Sequence, residues 1–497
     1  SREIEYDLRH DFWAHIQTLP LRYFQNHSTG DLMAHATNDI SAVRMFTGPA
    51  VMYSIDTVTK MIFVIAIMFS LNVELTIYAL LPLPLLSYLV YKLSKKIHIL
   101  FGRIQEKFSE LTTKAQESFS GIRVIKSYVR EETEISSFKE MNEEYLKRNM
   151  AKVKIQSFFA PVLFLITGFS IIIVIWLGGM KVIEGSVTIG ELSAFISYLV
   201  LLIWPMIAFG WVANIVQQAA ASMKRLNVIL DEKSDVTDNQ SSEEVEIKGE
   251  IEFKNVSFRY NDNLPKVLND ISLKIKTGET VAIIGKTGVG KTSLINLIPR
   301  LYDATEGEII IDGKNIKDYS LSNLRKAIGL VPQETFLFSD TLFNNILYGV
   351  EERNNETVES VSKISRLSND IPDFPKGYET ILGERGITLS GGQKQRSSLA
   401  RALAIDPKIL ILDDSFSAVD TNTEEEILSN LRNFMKERTS IIISHRISTV
   451  KDANRIYVLD NAKIAEQGTH EELIEFNGLY AELYQKQLLE EELKELN

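Results

Sequence analysis

Hydrophobic positions fall into two textures along the chain. Between Val51 and Val212 they gather in four long runs, near 51–70, 73–93, 156–176 and 192–212. Within the first run, Met61-Ile62-Phe63-Val64-Ile65-Ala66-Ile67-Met68-Phe69 leaves no polar side for water. A helix of about 20 apolar residues matches the hydrocarbon thickness of a bilayer, so each run predicts a membrane-spanning helix. After Asp231 the texture changes to short apolar strands such as Val281-Ala282-Ile283-Ile284 and Ile409-Leu410-Ile411-Leu412, set among helix-compatible stretches. The predicted architecture is multidomain: an all-α transmembrane bundle over 1–230, a polar linker over 231–249 containing Ser241-Ser242-Glu243-Glu244, and an α/β domain over 250–497.

Basic residues orient the spans. Lys92 to Lys154 is rich in Lys and Arg, the turn at Leu71-Asn72 has neither, and the loop after Trp176 has only Lys181. Cytoplasmic flanks carry the excess of Lys and Arg, which puts 94–155 inside together with 1–50 and the whole α/β half. The segment 94–155 reads as a helical hairpin too polar for lipid. Gly121, within Ser118-Phe119-Ser120-Gly121-Ile122-Arg123-Val124-Ile125-Lys126-Ser127-Tyr128, marks its turn, either a surface connection or a docking element. Asp56 and Lys60 stand four apart, a spacing that pairs them on one helical face more readily than it marks a substrate path. Pro82 and Pro84 predict a kink.

Composition narrows the function. A chain of 497 residues exceeds a single hydrophobic core. The formal charge of -11, with no compensating basic stripe, argues against nucleic-acid binding. With no cysteine, disulfides, thiolate metal sites and cysteine nucleophiles are excluded.

The chemistry is concentrated in the second half. After the strand at Val281–Ile284 comes Gly285-Lys286-Thr287-Gly288-Val289-Gly290-Lys291-Thr292, then the helix-compatible Ser293-Leu294-Ile295. This is a phosphate loop in its strand-loop-helix setting. Its glycines let backbone amides curl around phosphates, with the positive end of the following helix toward them. Lys291 is placed to neutralise β and γ phosphates, and the hydroxyl of Thr292 to reach Mg²⁺. The strand Ile409–Leu412 ends in Asp413-Asp414. Asp413 is the candidate Mg²⁺ carboxylate and Asp414 the candidate for orienting or deprotonating the attacking water; the alternative is a pair of helix N-caps.

Leu389-Ser390-Gly391-Gly392-Gln393, followed by Lys394-Gln395-Arg396, resembles the signature motif of ATP-binding cassette (ABC) proteins. The resemblance covers essentially the whole chain and is with exporters. It implies that Tyr260 stacks on adenine, that Gln333 senses Mg²⁺ and the membrane domain, that Asp420 lies in the D-loop, and that His445 is the switch histidine reaching the γ-phosphate. ATP and Mg²⁺ are the implied ligands, bound by 285–293 and, in trans, by Ser390, Gly391, Gly392 and Gln393. Residues 19–39 look like the first intracellular loop and the Gly121 region like the second coupling helix. Glu379 to Gly386 is similar to the exporter loop that touches those couplers.

What the resemblance implies is ATP-driven export or flipping of a hydrophobic or amphipathic substrate by alternating access, from a bacterial inner or plasma membrane. The obligatory partner is a second half-transporter. The family has six spans per half and the last four are present here, so an N-terminal truncation is expected. Most hydrolytically strong cassettes carry Glu where Asp414 stands, which favours a heterodimer with unequal sites over a homodimer. Two competing readings are a soluble regulatory ABC ATPase and a transport-incompetent fragment that binds ATP without moving cargo.

Overall fold

The computed structural model describes residues 1–238 and 245–495, so the Ser241–Glu244 part of the expected linker lies outside the described residues. The chain divides into two compact units, one of 1–17 with 29–231 and one of 18–28 with 232–497.

The first unit is entirely helical among its described residues. It holds four helical stretches long and apolar enough to cross a membrane: Thr29–Leu71, Val73–Ser120, Glu131–Ile183 and Ile189–Leu230. Each outlasts the apolar run that announced it, because the polar flanks continue the same helix beyond the hydrocarbon depth. The 73–93 run is the exception to a smooth span: a helix stops at Leu80 and another starts at Leu83, with the break at Leu81-Pro82. Proline removes the N–H that would continue the ladder, which accounts for the interruption. Thr188 and Glu191 form a reciprocal capping box that starts the helix Ile189–Leu230.

Apolar faces sort by depth. Val64, Met68, Leu75, Ala79, Val174, Phe195, Leu199 and Leu202 pack into one cluster. By contrast Ile62, Phe63, Phe164, Leu165, Phe169, Ile172, Trp176 and Phe209 stand exposed on the outer faces, as lipid-facing side chains do. Lys60 Nζ donates to Asp56 Oδ2 at 2.8 Å, so the two ionisable groups neutralise one another along one helix. A second polar knot joins residues far apart in sequence. Asp39, only 6% exposed, accepts Ser222 Oγ at 2.7 Å and Arg225 Nε at 3.0 Å, with His35 Nδ1 2.6 Å away. The polar hairpin consists of Leu83–Ser120 and Glu131–Gln156 joined by the short helix Ile122–Ser127, and Lys107 bridges its arms by bonding both Glu110 and Glu144.

The second unit is an α/β domain with two sheets. Strands β1 (Ile251–Phe258), β2 (Leu268–Ile275), β4 (Glu306–Ile311) and β5 (Lys314–Asn315) form an antiparallel sheet in the order β2-β1-β4-β5. Strands β3 (Thr280–Ile284), β6 (Ile328–Val331), β7 (Ile409–Asp413), β8 (Thr439–Ile443), β9 (Arg455–Asp460) and β10 (Lys463–Gly468) form the larger sheet, ordered β10-β9-β3-β8-β7-β6. Its strands are parallel except for β10, which pairs antiparallel with β9. Every residue of β7 and of β8 is buried, the condition of a parallel strand covered on both faces.

Residues 245–250 enter this fold directly. The Asp312 carboxylate accepts the N–H groups of Lys248 at 2.6 Å and Glu250 at 2.8 Å, and Ile247 is buried in the core. The helix Leu21–Asn26 also belongs to this unit, where Arg22 pairs with Asp235 at 2.8 Å.

Candidate functional site

The carboxyl ends of parallel strands leave a crevice where loops converge: β7 ends there in Asp413, while β3 runs out into Gly285 and β8 into Ser444. The loop after β3 depends on its glycines. Gly285 has φ 152° and Gly290 φ 102°, and a Cβ would lie 2.3 Å from the Leu459 carbonyl oxygen at Gly285 and 2.9 Å from that of Val267 at Gly290. No side chain fits at either position without moving backbone. The assigned helix that follows is short, Lys291–Asn296, and is continued by turns through Arg300.

Lys291 is buried beneath this loop, and its Nζ donates to the carbonyls of Gly285 at 2.8 Å and Lys286 at 3.0 Å. Burial pushes its pKa below the ordinary lysine value, while the nearby Asp413 and Asp414 carboxylates oppose that shift. Asp413, 2% exposed at the end of β7, shows the reverse. Burial pushes its carboxyl above the ordinary range, helped by Asp414 and opposed by the Thr292 hydroxyl, Lys291 and His445. Thr292, Asp413, Asp414, Lys291 and His445 thus belong to one electrostatic cluster.

The residues present fit a magnesium-bound polyphosphate. Thr292 and Asp413 supply hard oxygens of the kind Mg²⁺ takes, Lys291 supplies positive charge, and the loop supplies amides. At Gly288 a Cβ would meet nothing within 4 Å, so the loop leaves open space there. Asp414 sits at φ 45°, with its N–H donating to the Ile443 carbonyl at 2.9 Å, and is not a helix N-cap. That role falls to Asp420, which accepts the Thr423 N–H at 2.9 Å at the start of Thr421–Met435.

Tyr260 lies beside the same loop. Its hydroxyl is 2.7 Å from Ser293 Oγ, and its ring packs edge-on against Phe258 and Tyr302. Tyr302 is hydrogen-bonded by Gln25 of the 18–28 segment. Gln333 is exposed after β6.

Ser390 to Gln393 form a separate locus. Ser390 caps the helix Gly391–Ala404, with Ser390 Oγ accepting the Gln393 N–H at 3.3 Å and Gln393 Oε1 accepting the Ser390 N–H at 3.0 Å. The two glycines abut Ala418: a Cβ at Gly391 would lie 3.2 Å from the Ala418 Cβ, and one at Gly392 would lie 3.0 Å from its carbonyl oxygen. Among the described residues, no hydrogen bond or ion pair joins 390–393 to 285–293. Sequence reasoning missed Gln395, whose side chain bonds Ser417 and Ala418 and so ties this helix to the loop before Asp420. Its position two residues after Gln393 was the available signal.

Comparison with known proteins decides the family. The model of the ABC transporter transmembrane region matches residues 1–206, and the ABC transporter model matches 268–417. A probable multidrug resistance ABC transporter ATP-binding/permease protein of Bacillus subtilis, YheI, is 40% identical over 483 residues, covering 97% of this chain and 83% of that protein.

The chain belongs to the ABC transporter family.

An ATP-dependent lipid A-core flippase of Desulfotalea psychrophila is 38% identical to this transporter, covering 97% of the chain and 84% of the flippase. The solved structure of a bacterial Atm1-family ABC exporter with ATP bound superposes with a TM-score of 0.83 at 29% identity, covering 98% of this chain and 86% of that one. The transporter is therefore an ABC exporter half-transporter, an integral inner-membrane protein with ATPase activity coupled to export. Its helical membrane half and α/β cassette are the fold class that the sequence predicts.

Proposed function

We propose that this chain is one half of a dimeric exporter that moves a hydrophobic or amphipathic substrate by alternating access, each ATP lying between the phosphate loop of one half and the signature of the other. The carrying observation is the separation of two anion-ready loci: 285–293 cluster with Asp413 and His445, whereas Ser390–Gln393 are built onto Ala418. A second cassette gives the signature a nucleotide to close on. In this reading Tyr260 stacks on adenine, Lys291 holds phosphate charge, and Thr292, Asp413 and Gln333 serve Mg²⁺. Asp414 faces the attacking water and His445 the γ-phosphate. Mg²⁺ held by these oxygens would supply charge neutralisation for the phosphates.

The polar hairpin supports transmission to the partner. Phe119, Tyr128 and Val129 are 77%, 75% and 82% exposed at its turn, an apolar tip suited to docking on the other half's cassette. Relatives named for multidrug resistance and for lipid A-core flipping support an apolar or amphipathic cargo. Asp414 supports a heterodimer whose other half carries Glu at the matching position, leaving this chain's phosphate loop at the slower site.

The test is subunit-resolved. The exporter is purified with its partner, photo-crosslinked to azido-ATP and assayed for efflux of an amphipathic dye from vesicles. Equal label turnover on two identical halves would remove the asymmetric dimer, and ATPase activity without dye or lipid movement would remove the transport reading.

A further inference from the structure

His445 stands on a loop held from both sides. The loop leaves β8 at Ile443, runs through Ser444, His445 and Arg446, and enters the short helix Ile447–Val450. From one side comes Glu424, 3% exposed on the helix Thr421–Met435. Its carboxylate accepts Thr449 Oγ1 at 2.5 Å and also the Arg446 guanidinium. Inside the loop, Ser444 Oγ accepts the Arg446 N–H at 3.0 Å.

From the other side comes Gln487, on the last described helix, Leu479–Glu495. Its amide oxygen accepts the Ile447 N–H at 2.8 Å, and its amide nitrogen donates to the His445 carbonyl. One side chain thus satisfies an acceptor and a donor two residues apart on the backbone. A carboxamide offers both polarities in one planar group.

The helix that presents Gln487 is anchored. Glu466, on β10, accepts the N–H groups of Leu479 at 2.5 Å and Tyr480 at 3.1 Å. Tyr480 is fully buried, its hydroxyl 2.6 Å from His470 Nδ1, and Leu483 and Tyr484 pack on the same core. Positions 480, 483, 484 and 487 share one face of a helix, so the packing that seats Tyr480 also aims Gln487 at the loop.

We infer that Gln487 is a positioning residue for ATP hydrolysis: it fixes the backbone that carries His445 and so makes the C-terminal helix part of the catalytic apparatus. This rests on the reading of His445 as the γ-phosphate residue. The clasp touches only backbone, so its loss leaves the imidazole chemically intact and changes where it stands. Misplacing a catalytic group by about 1 Å costs on the order of 100-fold in rate, and a partial loosening costs less.

The experiment uses the assembled exporter and reads this chain's own site, as conversion of crosslinked azido-ATP to ADP on this subunit. Gln487→Ala is expected to slow that conversion about 10-fold at unchanged azido-ATP affinity. Hydrogen exchange at the Ile447 amide should rise in the same variant. Gln487→Glu keeps the oxygen for Ile447 but replaces the donor to the His445 carbonyl with a second acceptor, so it too is expected to slow conversion, and it serves if the alanine variant does not fold. Gln485→Ala, an exposed change on the same helix, sets the baseline.

If His445→Ala abolishes conversion while Gln487→Ala and Gln487→Glu leave it at wild-type rate, the inference fails and the reading of His445 stands. If His445→Ala converts normally, that reading fails, and any change in Ile447 exchange then reports only a structural clasp. Loss of conversion accompanied by equal loss of azido-ATP affinity in both Gln487 variants also overturns positioning.

Discussion

The amide oxygen of Gln395 accepts the backbone N–H of Ala418 at 2.9 Å, while its nitrogen donates to Ser417 Oγ at the same distance. The signature helix and the loop leading to Asp420 are thereby fixed in one register, so a partner's nucleotide would meet both as a unit. Ser417 and Ala418 are solvent-exposed, and water can replace the lost partners in Gln395→Ala. The stability loss should be only about 1 kcal/mol. Hydrolysis by the assembled exporter is expected to fall about 10-fold from misplacement, with ATP binding to this chain's phosphate loop unchanged. Steady-state ATPase assays beside nucleotide titration test the pair of outcomes, and equal losses in both would place Gln395 elsewhere in the mechanism.

Lys291 bonds the Gly285 and Lys286 carbonyls, so its ammonium waits inside the loop that its ligand is proposed to fill. Replacing it with alanine removes the buried positive charge facing Asp413 and Asp414. Lys291→Ala is expected to weaken ATP binding at this site by at least about 10-fold, the scale of one lost charge-assisted bond. Calorimetric titration of the assembled exporter with ATP in Mg²⁺ checks it, and chelating Mg²⁺ should lower wild-type affinity as well. Unchanged affinity in the variant would count against the assignment of Lys291.

Much of this was legible locally. The continuous apolar run Ile409–Leu412 predicts a strand covered on both faces, and β7 lies between β6 and β8 as such a strand must. The glycines of 285–290 predict a loop whose amides curl around phosphates, and the Leu459 and Val267 carbonyls show why Gly285 and Gly290 admit no side chain. What local pattern cannot carry is pairing across the chain. Asp39 meets Arg225 across 186 positions, and Gln487 reaches 40 positions back to Ile447, yet neither acid nor amide sits in a periodicity that names its partner. The placement of 18–28 with the cassette is hidden for the same reason. Pro82 did announce the break at Leu81-Pro82, because its effect is on its own backbone.

Gly392 gives a test in trans. A Cβ there would lie 3.0 Å from the Ala418 carbonyl oxygen, closer than ordinary contact, so a branched side chain must push the signature away from that loop. Gly392→Leu is expected to leave azido-ATP labelling of this chain within about 2-fold of wild type, since the change is remote from 285–293. ATP trapped on the partner half should fall about 10-fold or more. Crosslinking resolved by subunit separates the two, and a variant that lost labelling of its own chain alone would contradict the shared site.

Asp414 combines two constraints that pull in different directions. Its φ of 45° lies in the left-handed region, where most side chains cost roughly 1–2 kcal/mol and Asp or Asn is better tolerated because the short polar group bonds locally. Asp therefore suits the backbone here. For hydrolysis, however, its carboxylate falls about 1.5 Å short of where the extra methylene of Glu would place it, by carbon-carbon geometry. Asp414→Glu is expected to speed ATP conversion at this chain's site by about 10-fold to 100-fold, while lowering stability by roughly 1 kcal/mol or less. Asp414→Asn, which keeps the backbone preference and removes the charge, should reduce the residual conversion further. Single-turnover conversion of crosslinked azido-ATP gives the rates, and thermal unfolding of the detergent-solubilised exporter gives the stability change. Faster conversion in the Glu variant and slower conversion in the Asn variant identify Asp414 as the water-facing carboxylate of a slow site. Conversion indifferent to both shows that the attacking water is oriented by some other group, and removes the argument for an asymmetric dimer along with it.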